Sequence, residues 1–181
     1  MIITINGDAG SGKSTVAKLI ASKLELKHYS NGDFMREIAR ERGITLLELS
    51  KLSETDISVD KELDDRQKNL GKVEDNFIID SRLGWNFIPQ SIKIFLHVDP
   101  NVGADRIMGD TNETRDVEKI NEKQKLIEDT EIRRKSENKR YKEYYGVDQE
   151  DMNNYDLLID TTGQDIEEVV KGIVDYIEKI K

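Results

Sequence analysis

The sequence predicts an α/β fold built on a parallel sheet of about five strands, and three observations support this prediction. Short runs of β-branched and other apolar residues recur along the chain, as is typical of strands buried on both faces. Segments with apolar residues at helical spacing lie between these runs. A glycine-rich turn joins the first strand to the first helix. Strands and helices that alternate in this way form three layers, with helices on both faces of the sheet.

The predicted strands are short and have polar flanks, as buried parallel strands do. They are residues 2–5, 27–29, 77–79, 92–98 and 157–159.

Helical spacing of apolar residues predicts the segments between the strands. The first helix ends near Leu24, a second includes residues 34–39, an acidic one covers 56–70, and a last one places the apolar residues of 166–180 on one face. Gly43 can end the second helix in a left-handed conformation. Thr45 and Glu48 have the spacing of a capping box at the start of a further helix.

Composition predicts a single globular domain. The chain has 181 residues, of which 36% are hydrophobic and 36% charged, so it can bury a substantial core. The formal net charge of -9 argues against binding to nucleic-acid polymers or anionic membranes. Positive charge is concentrated in residues 106–142, which hold eleven basic and nine acidic residues. The absence of cysteine excludes disulfides, thiol catalysis, iron–sulfur clusters and zinc-thiolate sites.

The N-terminal residues lack the pattern of a secretion signal, and the apolar runs are too short to span a bilayer. We therefore expect a cytoplasmic protein, and we expect it to be a monomer.

The turn after the first strand carries a phosphate-binding pattern. Its residues fit G-x-x-x-x-G-K-[ST] between a predicted strand and a predicted helix: Gly7, Asp8, Ala9, Gly10, Ser11, Gly12, Lys13 and Ser14, followed by Thr15. Backbone N–H groups of such a loop converge on a phosphate at the helix N-terminus. Lys13 can neutralise β- and γ-phosphate oxygens, and the Ser14 hydroxyl can ligate Mg²⁺. The pattern predicts binding of a nucleoside triphosphate.

Further charged residues suggest a second phosphate site. Asp33 and Arg36 lie one helical turn apart directly after the second strand, where an arginine can bind a phosphate. Asp80 and Arg82 end the third strand, at the edge where α/β sheets bind ligands, so that Asp80 is placed to hold Mg²⁺. The alternatives are a helix cap with a surface ion pair in the first case and a simple turn in the second.

Arg133, Glu137 and Arg140 share one helical face because they are spaced by four and three residues. This face is either a phosphate clamp or a solvated, salt-bridged surface. Trp85 either forms a wall of the ligand crevice or fills the core.

The residues together resemble the small nucleoside monophosphate kinases, and within them the archaeal-type cytidylate kinases. The likeness covers nearly the whole chain through GDAGSGKS, SNGDFMREIARERGITLLEL, DKELDDR, IIDSRLGW, RRKSENKRYKEYYGVD and YDLLIDTT. The segment Asp80-Ser81-Arg82-Leu83-Gly84-Trp85 is one residue shorter than the segment usual in the family.

The resemblance implies a P-loop α/β/α fold with strand order 2-3-1-4-5 and a helical lid. It also implies phosphorylation of CMP, and of dCMP, by ATP with Mg²⁺. The core would comprise residues 1–30, 72–105 and 147–181, the monophosphate-binding region about 31–71, and the lid about 106–146.

The resemblance also assigns roles to residues. Lys13, Arg133 and Arg140 would act on the phosphates in catalysis. Residues outside the loop that would bind ATP are Arg106, Thr161 and Thr162. Residues that would bind the monophosphate substrate are Asp33, Arg36, Arg66, Asp80, Arg82, Trp85 and Glu137.

Other functions stay open on the sequence. The acceptor could be AMP, UMP or a small metabolite, since the phosphate loop is common to many kinases. A regulatory protein that binds a nucleoside triphosphate without transferring phosphate is the alternative from a different class.

Overall fold

A computed structural model describes residues 1–53, 55–109 and 117–180. It contains five strands within these residues: β1 Ile2–Gly7, β2 Lys27–Ser30, β3 Phe77–Asp80, β4 Ile92–His97 and β5 Leu157–Asp160. Each predicted strand is present, with ends that differ by one or two residues from the prediction.

The strands form one sheet in the order β2-β3-β1-β4-β5, which confirms the predicted topology. Both neighbours of β3 run parallel to it, and β4 runs parallel to β5. The register pairs Asp80 with Ile5 on one side and with Ser30 on the other. Asp80 ends β3 and lies beside Ser30, the last residue of β2, near the carboxyl edge of the sheet.

The helices are α1 Lys13–Lys23, α2 Asn31–Glu41, α3 Leu46–Ser53, α4 Ile57–Val73, α5 Gly84–Phe87, α6 Pro100–Met108, α7 Val117–Tyr145 and α8 Ile166–Ile180. A short 3-10 helix covers Met152–Asn154. Neither this helix nor α5 was predicted, because segments of three or four residues carry no periodic pattern.

Local capping explains where α2 ends and α3 begins. Gly43 has the predicted left-handed conformation, with φ of +67°. The Thr45 hydroxyl accepts a hydrogen bond from the Glu48 N–H (3.2 Å), and the Glu48 carboxylate accepts one from the Thr45 N–H (2.7 Å). The capping box is therefore confirmed. The Glu48 carboxylate accepts hydrogen bonds from the Thr45 N–H and from the Thr45 hydroxyl (2.8 Å), and these bonds hold the pKa of Glu48 below its usual value.

The described residues form two compact units. The first comprises Met1–Asn6 and Ala17–Lys93, and the second comprises Gly7–Val16 and the described residues from Ile94 onward. The division into a core, a monophosphate-binding region and a lid stays a prediction.

Helices α2, α3 and α4 of the first unit share an apolar core. Its buried residues are Ile38, Ala39, Leu49 and Val59. Apolar residues from three separate helices meet here, so this core fixes the position of α2, which carries Asp33 and Arg36 near its start.

We expect Leu49→Ala to lower the free energy of unfolding by about 2–5 kcal/mol, because it leaves a cavity at a fully buried position. The matched control is Leu47→Ala on the same helix, where the side chain is 66% exposed. We expect a change of about 0.5 kcal/mol or less for this control. Urea denaturation of both variants measures the difference, and equal losses would contradict this view of the core.

In the second unit, α7 is a single long helix with ion pairs or hydrogen bonds to other segments near both of its ends. Near its start, Lys123 forms an ion pair with Asp105 of α6 at 2.6 Å. Near its end, Asn138 donates to the Asp148 carboxylate at 3.0 Å, and Lys142 pairs with the same carboxylate at 2.7 Å. The predicted lid therefore contains the end of α6 and all of α7, while its residues 110–116 lie outside the described residues.

Helix α8 buries Val169, Val170, Ile173 and Ile177 on one face, as predicted. The prediction was wrong for Ile166 and Ile180 at the two ends, which are 38% and 50% exposed. The helix extends about one turn beyond its buried face at each end.

Candidate active site

The phosphate loop lies in the second unit, and two glycines give it its shape. Gly10 and Gly12 have φ values of +80° and +82°, which residues other than glycine rarely adopt. A Cβ on Gly10 would also lie 2.2 Å from the carbonyl oxygen of Gly103 in α6. The Ser11 N–H donates to the Asp8 carbonyl at 3.2 Å and closes the turn. The loop can therefore form the predicted cradle of backbone N–H groups.

Helix α1 begins directly at the end of this loop. The Val16 N–H donates to the Gly12 carbonyl at 2.9 Å, so the first helical N–H groups are those of Lys13, Ser14 and Thr15. N–H groups of the first turn and the helix dipole favour anion binding at such a helix end. Lys13 is half-buried, and Ser14 and Thr15 are exposed to solvent.

A cavity of about 270 Å³ lies beside the loop. Ser11, Gly12 and Val16 line one side, and residues from α6, the segment after β5 and α8 complete it: Arg106, Thr161, Gln164, Asp165, Ile166 and Val169. Its walls combine polar and charged side chains with the apolar Val16, Ile166 and Val169, so it offers both hydrogen-bonding groups and apolar surface to a ligand.

Arg106 and Thr161, both predicted to bind ATP, are joined at this cavity. The Arg106 guanidinium donates to the Thr161 hydroxyl at 3.1 Å and to its carbonyl at 2.7 Å. The Thr161 hydroxyl donates in turn to the His97 carbonyl at 3.0 Å. These bonds hold the planar guanidinium in place, where it can stack on a base.

Thr162 has a different environment from Thr161. Its hydroxyl donates to the Asp160 carboxylate and accepts a hydrogen bond from the Asp99 N–H at 2.9 Å. Its hydrogen bonds connect the segment after β5 to the residue before α6, and its role in binding ATP stays a prediction.

The arginine face of α7 has the predicted pairing. Arg133 donates through Nε to the Glu137 carboxylate at 3.0 Å. Glu137 is buried, whereas Arg133 is 70% exposed. Arg140 lies one turn further along the same helix and is half-buried. The buried Glu137 carboxylate holds the Arg133 guanidinium through its Nε. The two terminal nitrogens of this exposed guanidinium can therefore bind a ligand.

In the first unit, Asp33 and Arg36 are brought together at the start of α2. Ser30 caps the helix by accepting from the Asp33 N–H at 3.1 Å, and its hydroxyl donates to the Asp33 carboxylate at 2.7 Å. The Ser30 hydroxyl and then the Arg36 guanidinium hold the pKa of Asp33 below its usual value. Arg36 is 60% exposed. The cap and ion pair are present, and the phosphate-binding role of Arg36 stays a prediction.

The end of β3 presents Asp80 and the segment that follows it. Asp80 is 8% exposed, and its Oδ2 has no hydrogen-bond partner within the described residues. Ser81 is buried and donates to the side-chain carbonyl of Gln67 on α4. Arg82 is half-buried, and Trp85 is 7% exposed within α5. Burial of Trp85 is typical of a core residue.

Asp80 and Ser14 carry the oxygen ligands that Mg²⁺ prefers. Within the described residues, no group of three or more acidic or histidine side chains is placed to hold a metal. A site with one or two protein ligands fits Mg²⁺ that is bound mainly through substrate phosphates. The buried Oδ2 of Asp80 suits this chemistry.

Arg66 is surrounded by carboxylates. It pairs with Glu37 at 3.4 Å, with Glu62 at 3.0 Å and with Glu41. The hydrogen bond that Arg66 donates to the Glu41 carboxylate is the main reason that the pKa of Arg66 is raised. These pairs hold α2 to α4, and binding of substrate by Arg66 stays a prediction.

Two residues contact the loop in a way that the sequence did not predict. His97 donates through Nδ1 to the Asp8 carboxylate at 2.7 Å, and the residues near His97 in the sequence gave no sign of this partner. Arg134 lies 3.9 Å from the other oxygen of Asp8. The signal for His97 was its place at the end of β4, since parallel strands end at the same edge of the sheet as the loop.

The sheet order, the glycine loop at the start of α1 and the adjoining cavity define a P-loop nucleotide-binding protein. Within this class, the profile of the family described as cytidylate kinase-like matches residues 2–163. The chain belongs to this family.

Curated relatives agree with this assignment. The chain is 41% identical to a cytidylate kinase of Natronomonas pharaonis over 163 residues, which cover 89% of this chain and 81% of the relative. It is 39% identical to a cytidylate kinase of Methanocaldococcus jannaschii over 186 residues, which cover 100% of this chain and 99% of the relative.

Solved structures share the fold at lower identity. An uncharacterised protein from Eubacterium ventriosum has a TM-score of 0.72 at 20% identity, and 98% of each chain is covered. Shikimate kinase from Bacteroides thetaiotaomicron has a TM-score of 0.65 at 16% identity, again over 98% of each chain. These likenesses concern the fold alone.

Proposed function

We propose that the protein is a cytidylate kinase, which transfers the γ-phosphoryl group of ATP to CMP and gives ADP and CDP. Residues of the second unit bind ATP: the loop holds the phosphates, and the cavity beside Arg106 and Thr161 takes the adenine. The acceptor is bound by Arg36 and Arg82 of the first unit, and dCMP is a second acceptor.

The observation that carries this proposal is the grouping of charged side chains at the carboxyl edge of β2 and β3. Asp80 is in register with Ser30, and α2 begins directly after Ser30 with Asp33 and Arg36. This edge is where open α/β sheets bind ligands. A regulatory protein that binds only a triphosphate has no need for this second set of charges.

Phosphoryl transfer needs no general base here, because a phosphate oxygen of CMP is already ionised at neutral pH. The chain must hold two polyanions in line and neutralise charge in the transition state. Lys13 contacts the β- and γ-phosphates, and Arg133 and Arg140 contact the transferred group. Ser14 and Asp80 each carry an oxygen that could ligate Mg²⁺, which would supply neutralisation of phosphate charge when bound.

Water competes with CMP for the same phosphoryl group, so the helical lid must exclude water when both substrates are bound. The lid carries Arg133 and Arg140 on α7, and its closure delivers both cations and excludes solvent in one movement. This proposal predicts slow hydrolysis of ATP when no acceptor is present.

An acceptor panel tests the function. ADP release is measured with ATP and Mg²⁺ in the presence of CMP, dCMP, UMP or AMP. We expect the highest kcat/KM with CMP. A preference for AMP or UMP would assign another monophosphate kinase, and equal ADP release with and without every acceptor would contradict kinase activity.

A monomeric state remains our expectation. None of the described helices has the length and apolar composition needed to cross a bilayer.

A further inference from the structure

Asp8 places a negative charge in a loop that binds a polyanion. The phosphate-binding pattern leaves its position free, so the loop does not need a carboxylate there. A carboxylate close to bound phosphates repels them unless nearby cations offset its charge and its oxygens point away from the phosphates. The Asp8 side chain is only 18% exposed, so its partners within the protein decide its role.

One oxygen of Asp8 attaches the loop to the end of β4. Oδ2 lies 2.7 Å from His97 Nδ1 and accepts from the Val98 N–H at 3.2 Å. The Asp8 N–H also donates to the Leu96 carbonyl at 3.0 Å. The carboxylate is therefore directed along β4, and its position is fixed by both backbone and side-chain bonds.

The other oxygen of Asp8 is directed to the lid helix. Oδ1 lies 3.9 Å from the Arg134 guanidinium of α7. Arg134 also pairs with Glu131 at 3.1 Å and with Glu150 at 3.5 Å. Asp8 is thus the member of this charge cluster that belongs to the phosphate loop.

A cavity of about 280 Å³ lies next to this ion pair. Asp8 and Ala9 of the loop line it, together with the end of β4, α6 and the 126–134 segment of α7. Most of its lining is apolar, with side chains that include Val98, Ala104, Ile107, Leu126 and Ile127. Close packing therefore does not fix this part of α7 against the loop, because the space between them is incompletely filled.

We propose that the Asp8–Arg134 ion pair positions the lid helix against the phosphate loop, which makes Asp8 and Arg134 positioning residues for phosphoryl transfer. The inference rests on the proposed kinase function. Arg133 is the next residue on α7, so a shift of the helix displaces its guanidinium by a similar distance. A displacement of about 1 Å in a phosphate clamp can lower turnover by about 10²-fold.

Neutral substitutions at either end of the pair test this role. We expect Asp8→Asn and Arg134→Gln each to lower kcat by about 10-fold, since the lid helix then samples several positions. The KM for ATP should stay within about twofold or fall for Asp8→Asn, because a charge that repels phosphate has been removed. General damage to the loop would instead raise this KM.

A double-mutant cycle separates coupling from independent effects. If the two residues act through one ion pair, Asp8→Asn combined with Arg134→Gln lowers kcat no further than either change alone. Arg134→Lys keeps the charge and should retain most of the wild-type kcat. Lys135→Gln is the matched control, since Lys135 is 72% exposed, pairs with Glu131 and should be replaceable without effect.

A distance measurement gives a readout that does not depend on activity. The chain has no cysteine, so Lys125→Cys on α7 and Lys171→Cys on α8 can carry a unique pair of spin labels. We expect a distance distribution about twice as wide when Arg134→Gln is added, because the contact between the middle of α7 and the phosphate loop is lost.

Several outcomes would overturn the proposal. They are a wild-type kcat in either single variant, losses that multiply in the double variant, or an unchanged distance distribution in the labelled Arg134→Gln protein. If the unmodified protein does not phosphorylate CMP, the proposed function fails, and the distance distribution still decides whether the pair positions the helix.

Discussion

Replacement of Lys13 by alanine is expected to lower the turnover number for CMP phosphorylation by about 10³-fold. Lys13 begins α1 directly after Gly12, at the helix end where phosphate binds. In the proposed mechanism its ammonium group offsets charge on the β- and γ-phosphates, and this charge increases on the leaving oxygen in the transition state. Release of ADP at saturating ATP and CMP measures the loss.

Lys18→Ala is the matched control for this variant. Lys18 lies on the same helix with an exposed side chain, so its removal changes the net charge equally without touching the loop. We expect near-normal turnover for the control and an unchanged circular dichroism spectrum for both proteins. Turnover close to wild type in Lys13→Ala would refute the role of this residue.

The second large effect is expected at Arg133. Arg133→Ala should lower kcat by about 10³-fold, the scale of losing an arginine that stabilises a transferred phosphoryl group. The exposed guanidinium is oriented by the buried Glu137 carboxylate, so its position is prepared before substrate arrives. The KM for CMP should change much less than kcat, because this interaction develops mainly in the transition state.

Lys139→Ala is the control for Arg133, since it removes one exposed positive charge from the same helix. We expect little change in its kcat. A large loss in both variants would mean that the overall charge of the helix matters more than one guanidinium, and an active Arg133→Ala enzyme would exclude Arg133 from the clamp.

The loop and the sheet could be predicted because their residues obey local constraints. A left-handed backbone at Gly10 and Gly12 requires glycine, and the strand before and helix after the pattern give it one known geometry. The i,i+4 spacing of Arg133 and Glu137 likewise predicted a contact that the structure contains.

Contacts between segments far apart in sequence could not be predicted. Arg66 of α4 pairs with Glu37 and Glu41 of α2, and Ser81 donates a hydrogen bond to Gln67, fourteen positions away. The Asp8–His97 contact joins residues 89 positions apart. No periodic pattern encodes such pairs, since they depend on how helices pack on the sheet.

Acceptor recognition is the part of the site that depends most on such contacts. The shortened segment after β3 forms α5, and a Cβ on Gly84 would lie 3.1 Å from the Ser81 Cβ and 3.2 Å from the Thr4 Cγ2. This close packing explains why a residue without a side chain suits position 84. The acceptor panel measures how strongly this site prefers cytosine to other bases.

Titration calorimetry with CMP tests the central claim most directly, since only a kinase of this type needs a second phosphate site. We expect one CMP to bind per chain and the Kd to rise by about 10-fold or more in Arg36→Ala, because a charge-assisted contact to the phosphate is lost. ATP binding should be unchanged in that variant. Binding of ATP without any binding of CMP by the wild-type protein would contradict the account.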